Sequence, residues 1–146
     1  MIAVDTNILI YAHRPDSPWH NQAAARVRQL AEGVEVWAIP WPCVHEFLAI
    51  VTHPKIFVPP TPLGEAIEQV NCWLESPSLQ IIGELSDHWT VLSSMLLQAH
   101  IQGPRVHDAR VAAIATAHRV STLWTADRDF SRFGGLNVVN PLISDE

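Results

Sequence analysis

Four acids spread along the chain, Asp5, Glu46, Asp108 and Asp127, are the side chains best suited to chemistry. Grouped carboxylates are hard oxygen donors, which suit Mg2+ or Mn2+ rather than zinc. Two unit charges about 5 Å apart repel by ~3 kcal/mol at an effective dielectric near ~20. Four ionised carboxylates therefore share a pocket only with bound cations or raised pKa values. One or two such cations can activate water and steady a leaving oxygen in phosphodiester hydrolysis. Each acid also has a purely structural explanation. Asp108 would complement a helix N-terminus, and Asp5 would bond the backbone of Asn7 in a turn. Glu46 would form a salt bridge at a helix margin, and Asp127 would cap a short helix containing Phe130.

What separates these readings is whether the fold brings the acids together. Ile2–Val4 reads as a short apolar strand, with Asp5 directly after it. Thr122–Trp124 reads as another, followed closely by Asp127. Further strands are expected at Val36–Ile39, Leu79–Ile82 and Leu136–Val139. Apolar residues at helical spacing predict helices over Asn7–Ala12, Gln22–Ala31, Trp41–Val51, Leu63–Leu74, Leu85–Ile101 and His107–His118. Glu46 lies at the margin of the stripe formed by Val44, Phe47, Leu48 and Val51. Asp108 lies in the first turn of its helix. Short strands alternating with helices imply an α/β fold, a parallel sheet with helices on both faces. Ligands of such sheets bind at the carboxyl ends of the strands, and the pattern sends Asp5 and Asp127 to that edge.

The whole chain of 146 residues suits one domain, with no repeat or low-complexity linker. The run from His53 to Pro62, with its four prolines, reads as a stiff connection between helices. A net charge of −6 argues against a protein that grips nucleic acid mainly through a basic surface. It leaves room for metal-binding acids and for a basic partner. Cys43 and Cys72 fall in apolar helical contexts and are expected to be buried free thiols, as suits a reducing compartment. The opening Met-Ile-Ala-Val-Asp lacks the features of a secretory leader, and no apolar run is long enough to span a bilayer. A cytoplasmic chain is the expectation.

Taken in order, Ile2-Ala3-Val4-Asp5-Thr6-Asn7, the helical Glu46, His107-Asp108-Ala109 and Thr125-Ala126-Asp127-Arg128-Asp129-Phe130 resemble the PIN domain. Within that family they resemble the VapC-type toxins of bacterial toxin–antitoxin pairs. The resemblance runs from Met1 to about Leu142. It implies a three-layer α/β/α fold with a five-stranded, mainly parallel sheet. It also implies endoribonuclease activity dependent on Mg2+ or Mn2+, a homodimer, and an antitoxin whose tail occludes the site. By the same resemblance Asp5, Asp108 and Asp127 are metal ligands, with Glu46 the remaining acid, acting directly or through a water. Thr6 or Asn7 would orient Asp5. Asp129 is the alternative to Asp127, which is favoured because it lies nearer the strand end. The expected products of metal-assisted hydrolysis are 5′-phosphate and 3′-hydroxyl ends.

Among the other residues, Arg14 is the best candidate for an RNA phosphate contact, because guanidinium suits bidentate recognition. His13 and His20 are expected in a solvated loop. The segment Tyr11 to His20 is a further likeness to a sub-group of these toxins. Arg105, Arg110 and Arg128 flank the acid-bearing elements in sequence, so one of them is a candidate for an RNA contact, with a solvated helix face as the plainer explanation; Arg110 is also a candidate partner for an acid at the site. Trp37, Trp73, Trp89 and Trp124 fall on strand or helix patterns and are expected in the core; Trp19 and Trp41 flank irregular segments. Phosphate-binding loops and nucleophile elbows are missing from the sequence. A haloacid-dehalogenase-type phosphatase would need Asp where Asn7 stands. A receiver domain would need a late lysine, whereas the sole lysine is Lys55. The remaining alternative is a degenerate, non-catalytic PIN module that only binds an antitoxin-like partner.

Overall fold

The computed structural model describes residues 1–143; residues 144–146, the end of the domain expected over 1–146, lie outside the described residues. The chain runs β1 (Ile2–Val4), α1 (Thr6–His13), α2 (His20–Glu32), β2 (Trp37–Pro40), α3 (Trp41–Val51), α4 (Leu63–Leu74) and β3 (Leu79–Ile82). It continues through α5 (His88–Ala99), α6 (Val106–Ala117), β4 (Thr122–Trp124) and β5 (Asn137–Val139). Short 3-10 turns at Gly103–Arg105 and Arg128–Arg132 flank α6 and β4. The five strands form one sheet in the order β3-β2-β1-β4-β5, and every neighbouring pair is parallel.

Parallel strands need both faces covered, because helical crossovers lie on each side. The burial pattern agrees. Successive strand residues point to opposite faces, yet Trp37, Ala38 and Ile39 of β2 are all buried, as are Ala3 and Val4 of β1 and Leu123 and Trp124 of β4. The sheet is thus the middle of three layers. In α6, Ala109, Ala112, Ala113 and Ala115 are fully buried, small enough for close approach to the sheet.

Local sequence sets the element ends. Asp5 caps α1 by accepting from the Thr6 N–H. Pro42 opens α3, where an amide donor would be unpaired in any case. His100 closes α5 in the left-handed region at φ 55°. Chain order reverses across β1, with β2 on one side and β4 on the other, and ligands of open parallel sheets gather at the carboxyl ends beside such a reversal.

Three expectations about side-chain placement are corrected. Trp89 is 71% exposed rather than in the core, because α5 contributes no fully buried residue. Cys72 is exposed, while its neighbour Trp73 takes the buried position on α4; Cys43 is buried as expected. His13 and His20 are half-buried on helices rather than in a solvated loop. No helix among the described residues is long and apolar enough to cross a membrane.

Candidate active site at the carboxyl edge of the sheet

Asp5 leaves β1 beside the end of β4, where its amide donates to the Trp124 carbonyl at 2.9 Å. Its side chain is buried and fully engaged. Oδ1 accepts from the Thr6 amide at 2.8 Å and from the Cys43 thiol at 3.5 Å. Oδ2 accepts from the Thr125 hydroxyl at 2.8 Å and from the Asn7 amide at 3.4 Å. Burial nevertheless dominates and pushes the Asp5 pKa from 3.8 up to about 6, with the Glu46 charge adding to the rise.

Thr125 and Asn7 tie the two strand ends together. Asn7 Nδ2 donates to Thr125 Oγ1 at 3.0 Å, and its Oδ1 accepts from the Ala126 amide at 3.1 Å. Thr125 Oγ1 also accepts from the Asp127 amide at 3.0 Å. A single buried hydroxyl thus contacts one acid's carboxylate and the backbone of another. Thr125 carries no role in the sequence reading, although its place between β4 and Asp127 is the same strand-end signal that singles out Asp127. Asn7 through its side-chain amide and Thr6 through its backbone amide both donate to the Asp5 carboxylate.

Glu46 stands on α3 at the exposed rim. Its pKa is raised by partial desolvation and by the charge of Asp108, against the Thr6 hydroxyl and His107. Asp108, in the first turn of α6, is raised by burial and by the charge of Asp127, against Arg105 and His107. Asp127 caps the 3-10 turn Arg128–Arg132, with Oδ1 accepting from the Asp129 amide at 2.9 Å. The cap expected as its structural explanation is therefore real, and it leaves Oδ2 free to face Arg105 at 3.7 Å. The four acids form a row, in which Asp5 feels Glu46, Glu46 feels Asp108, and Asp108 feels Asp127. Asp129 pairs with Arg105, the same guanidinium that faces Asp108 and Asp127.

Arg105 also donates to Asp108 at 3.1 Å. It is the cation at the Asp127 end of the row, a role the sequence reading does not assign to it. Arg110 pairs with Glu84 at 2.5 Å rather than with any of the four acids. Arg14 is corrected more firmly. It is the C-cap of α1, about 14 Å along the helix axis from Asp5. Its guanidinium is bound by Asp16 at 2.6 and 2.8 Å, donates to Thr61 at 3.2 Å and lies 4.4 Å over the Phe57 ring. Beside it, His13 bonds Gln69 and Thr61, and His20 bonds the Tyr11 carbonyl. The Tyr11 to His20 segment thus fastens α1 to the Pro-rich connection and α4.

Two hollows border acids of the row. One of about 270 Å³ is lined by Glu46, His45, His107 and Arg110. The other, of about 320 Å³, is lined by Thr125, Asp127, Arg128 and Asn140. A larger cavity of about 580 Å³ lies between α5, α6 and residues 132–134, and none of the four acids lines it.

Oxygen-only donors, three of them destabilised as anions, suit a hard divalent cation in kind. Among the described residues, no group of three or more His, Cys, Asp or Glu side chains is disposed to hold a metal ion. Asp108, Asp127 and Asp129 turn toward the Arg105 guanidinium instead.

A parallel five-stranded sheet whose carboxyl edge is lined by acids defines an α/β protein. Residues 2–136 match the family model of the PIN domain, and the chain belongs to that family. It is 28% identical over 137 residues to "Ribonuclease VapC48" of Mycobacterium tuberculosis, covering 94% of each chain. It is 30% identical over 142 residues to "Ribonuclease VapC43" of the same species, covering 97% of this chain and 96% of the relative. Among solved structures, VapBC2 from Rickettsia felis, bound to a DNA fragment from its promoter, shares the fold with a TM-score of 0.69. That match has 22% identity and covers 96% of this chain and 98% of the other.

Proposed function

We propose that this chain is an endoribonuclease dependent on Mg2+ or Mn2+, the toxin of a VapBC-type toxin–antitoxin pair. The observation that carries this reading is the succession of neighbouring acids at the switch point of the sheet, where Glu46 acts on Asp5, Asp108 on Glu46, and Asp127 on Asp108. The ribonuclease names of its relatives support the same reading. Asp5, Asp108 and Asp127 would hold the cation, with Glu46 bound directly or through a water. Bound there, the cation would offset the carboxylate repulsion, lower the pKa of water and stabilise charge on the phosphodiester.

The chain's own residues supply the rest. Thr6, Asn7, Cys43 and Thr125 fix both oxygens of Asp5, so that carboxylate cannot rotate away when the site is empty. Glu46, exposed at the rim with a raised pKa, is suited to take a proton from attacking water. The hollows beside Glu46 and Asp127 leave room for substrate next to both acids. An acidic site on a chain of net charge −6 favours an antitoxin with a basic tail. A homodimer belongs to the same reading, and the exposed Trp89 and Leu97 of α5 support it.

The test is cleavage of a structured RNA by metal-stripped protein, with Mg2+ or Mn2+ added back, beside Asp5→Asn. Cleavage restored by either ion, lost in the variant, and leaving 5′-phosphate ends is expected. Equal cleavage by both proteins, or 2′,3′-cyclic phosphate products, would overturn the assignment.

A further inference from the structure

We infer that Arg105 is a built-in counter-ion of the acid row, which competes with the divalent cation and, once displaced, contacts an RNA phosphate. This deepens the proposed nuclease reading and rests on it. Arg105 ends the 3-10 turn Gly103–Arg105 and directly precedes α6. Gly103 takes φ +68°, which a side chain would resist, and Pro104 fixes the next φ. The guanidinium is thereby set at one end of the row. It reaches Asp108 at 3.1 Å and Asp127 at 3.7 Å through Nη1, and Asp129 through Nη2.

Two features mark this as an exchangeable arrangement rather than a structural lock. The four side chains are 33–47% exposed, so the ion pairs are screened by solvent and individually weak. One positive charge also faces three negative ones. Net negative charge therefore remains at this end of the row and attracts a further cation. Arg14 makes the contrast: its bidentate pair is reinforced by Thr61 and by the Phe57 ring, and its side chain is only 10% exposed. Displaced from the acids, Arg105 remains tethered at their edge. A guanidinium there meets a phosphate by the same two-pronged geometry with which it met the carboxylates.

The experiment is calorimetric titration of Mn2+ into the full chain at fixed ionic strength, for wild type, Arg105→Gln and Arg105→Lys. Circular dichroism checks the fold of each. With the competitor removed, Arg105→Gln is expected to bind Mn2+ about tenfold more tightly. Arg105→Lys, keeping the charge but losing the fork, should fall between. In saturating Mn2+, binding of a 2′-O-methyl RNA oligonucleotide to Arg105→Gln should weaken. Its logarithmic salt slope should shrink by about 0.7, the share of one phosphate contact on a single strand. A merely structural arginine would leave that slope unchanged. Equal or weaker Mn2+ binding by Arg105→Gln, or an unaltered salt slope, overturns the inference while leaving the nuclease reading standing. Failure of both wild type and variants to bind Mn2+ overturns the two together.

Discussion

Replacing Asp5 by asparagine isolates the electrostatic strain of the site. Asp5 titrates at about 6 in the folded chain against 3.8 as the ordinary value. The folded state therefore binds a proton more tightly than the unfolded state. Its contribution to stability is fully present below about pH 3.8 and is lost as pH rises through 6. Each pH unit in that window removes about 1.4 kcal/mol, and the whole rise amounts to about 3 kcal/mol at neutral pH. The substituted amide would keep an acceptor for the Thr6 N–H and carries no charge, so the variant escapes this loss. Glu46 and Asp108 titrate in both proteins and largely cancel in the comparison. Urea unfolding between pH 3.5 and 7.5 in metal-free buffer, read by fluorescence of the buried Trp37 and Trp73, measures the difference. Wild type should fall by about 3 kcal/mol relative to Asp5→Asn between the two ends. Added Mg2+ should restore much of that loss at neutral pH in wild type only. A difference that stays flat or grows with pH would refute the reasoning, since burial of Asp5 would then impose no penalty on its charge.

Other substitutions probe the supports of the site. Thr125→Val keeps the shape of a buried side chain but removes the hydroxyl shared by Asp5, Asn7 and the Asp127 amide. Unfolding at neutral pH should show a loss of about 2 kcal/mol, and RNA cleavage should fall more steeply than RNA binding. Arg14→Ala should cost about 2 kcal/mol in the same assay, because the Asp16 pair, the Thr61 bond and the Phe57 contact go together. Its cleavage rate per folded molecule should remain that of wild type. His100→Gly should raise stability by roughly 0.5–1 kcal/mol, since the left-handed cap of α5 suits glycine better than histidine.

Much of this architecture is legible in the sequence because the periodic signals are local. The expected bounds of α3, α4, β3 and β4 coincide with those of the structure, where Pro40 and Pro42, the Pro-rich run and the short apolar strands punctuate the chain. Strand ends also place Asp5 and Asp127 at one edge. Periodicity names an apolar stripe but not whether anything covers it, which is why Trp89 looks like a core residue and stands in solvent. A similar limit applies to Cys72, one position from the buried Trp73 on a helix whose faces differ by 100° per residue. Long-range partners are the other gap. Arg14 looks free for phosphate until Thr61 and Phe57 arrive from the Pro-rich connection. Thr125 meets Asp5 across 120 residues, and Arg105 meets Asp127 and Asp129 only once the turn after β4 reaches the start of α6.

The central claim is that Asp5, Glu46, Asp108 and Asp127 act as one site, with Asp129 outside it. Single-turnover RNA cleavage in Mn2+ by Asp5→Asn, Glu46→Gln, Asp108→Asn, Asp127→Asn and Asp129→Asn tests it most directly. Asparagine still caps a helical turn well, so Asp127→Asn should fold while losing its charge. Each of the four is predicted to lose at least about 100-fold in rate, and Asp129→Asn to lose less than about tenfold. Wild-type cleavage by any one of the four variants, or a loss in Asp129→Asn as deep as theirs, would contradict the account.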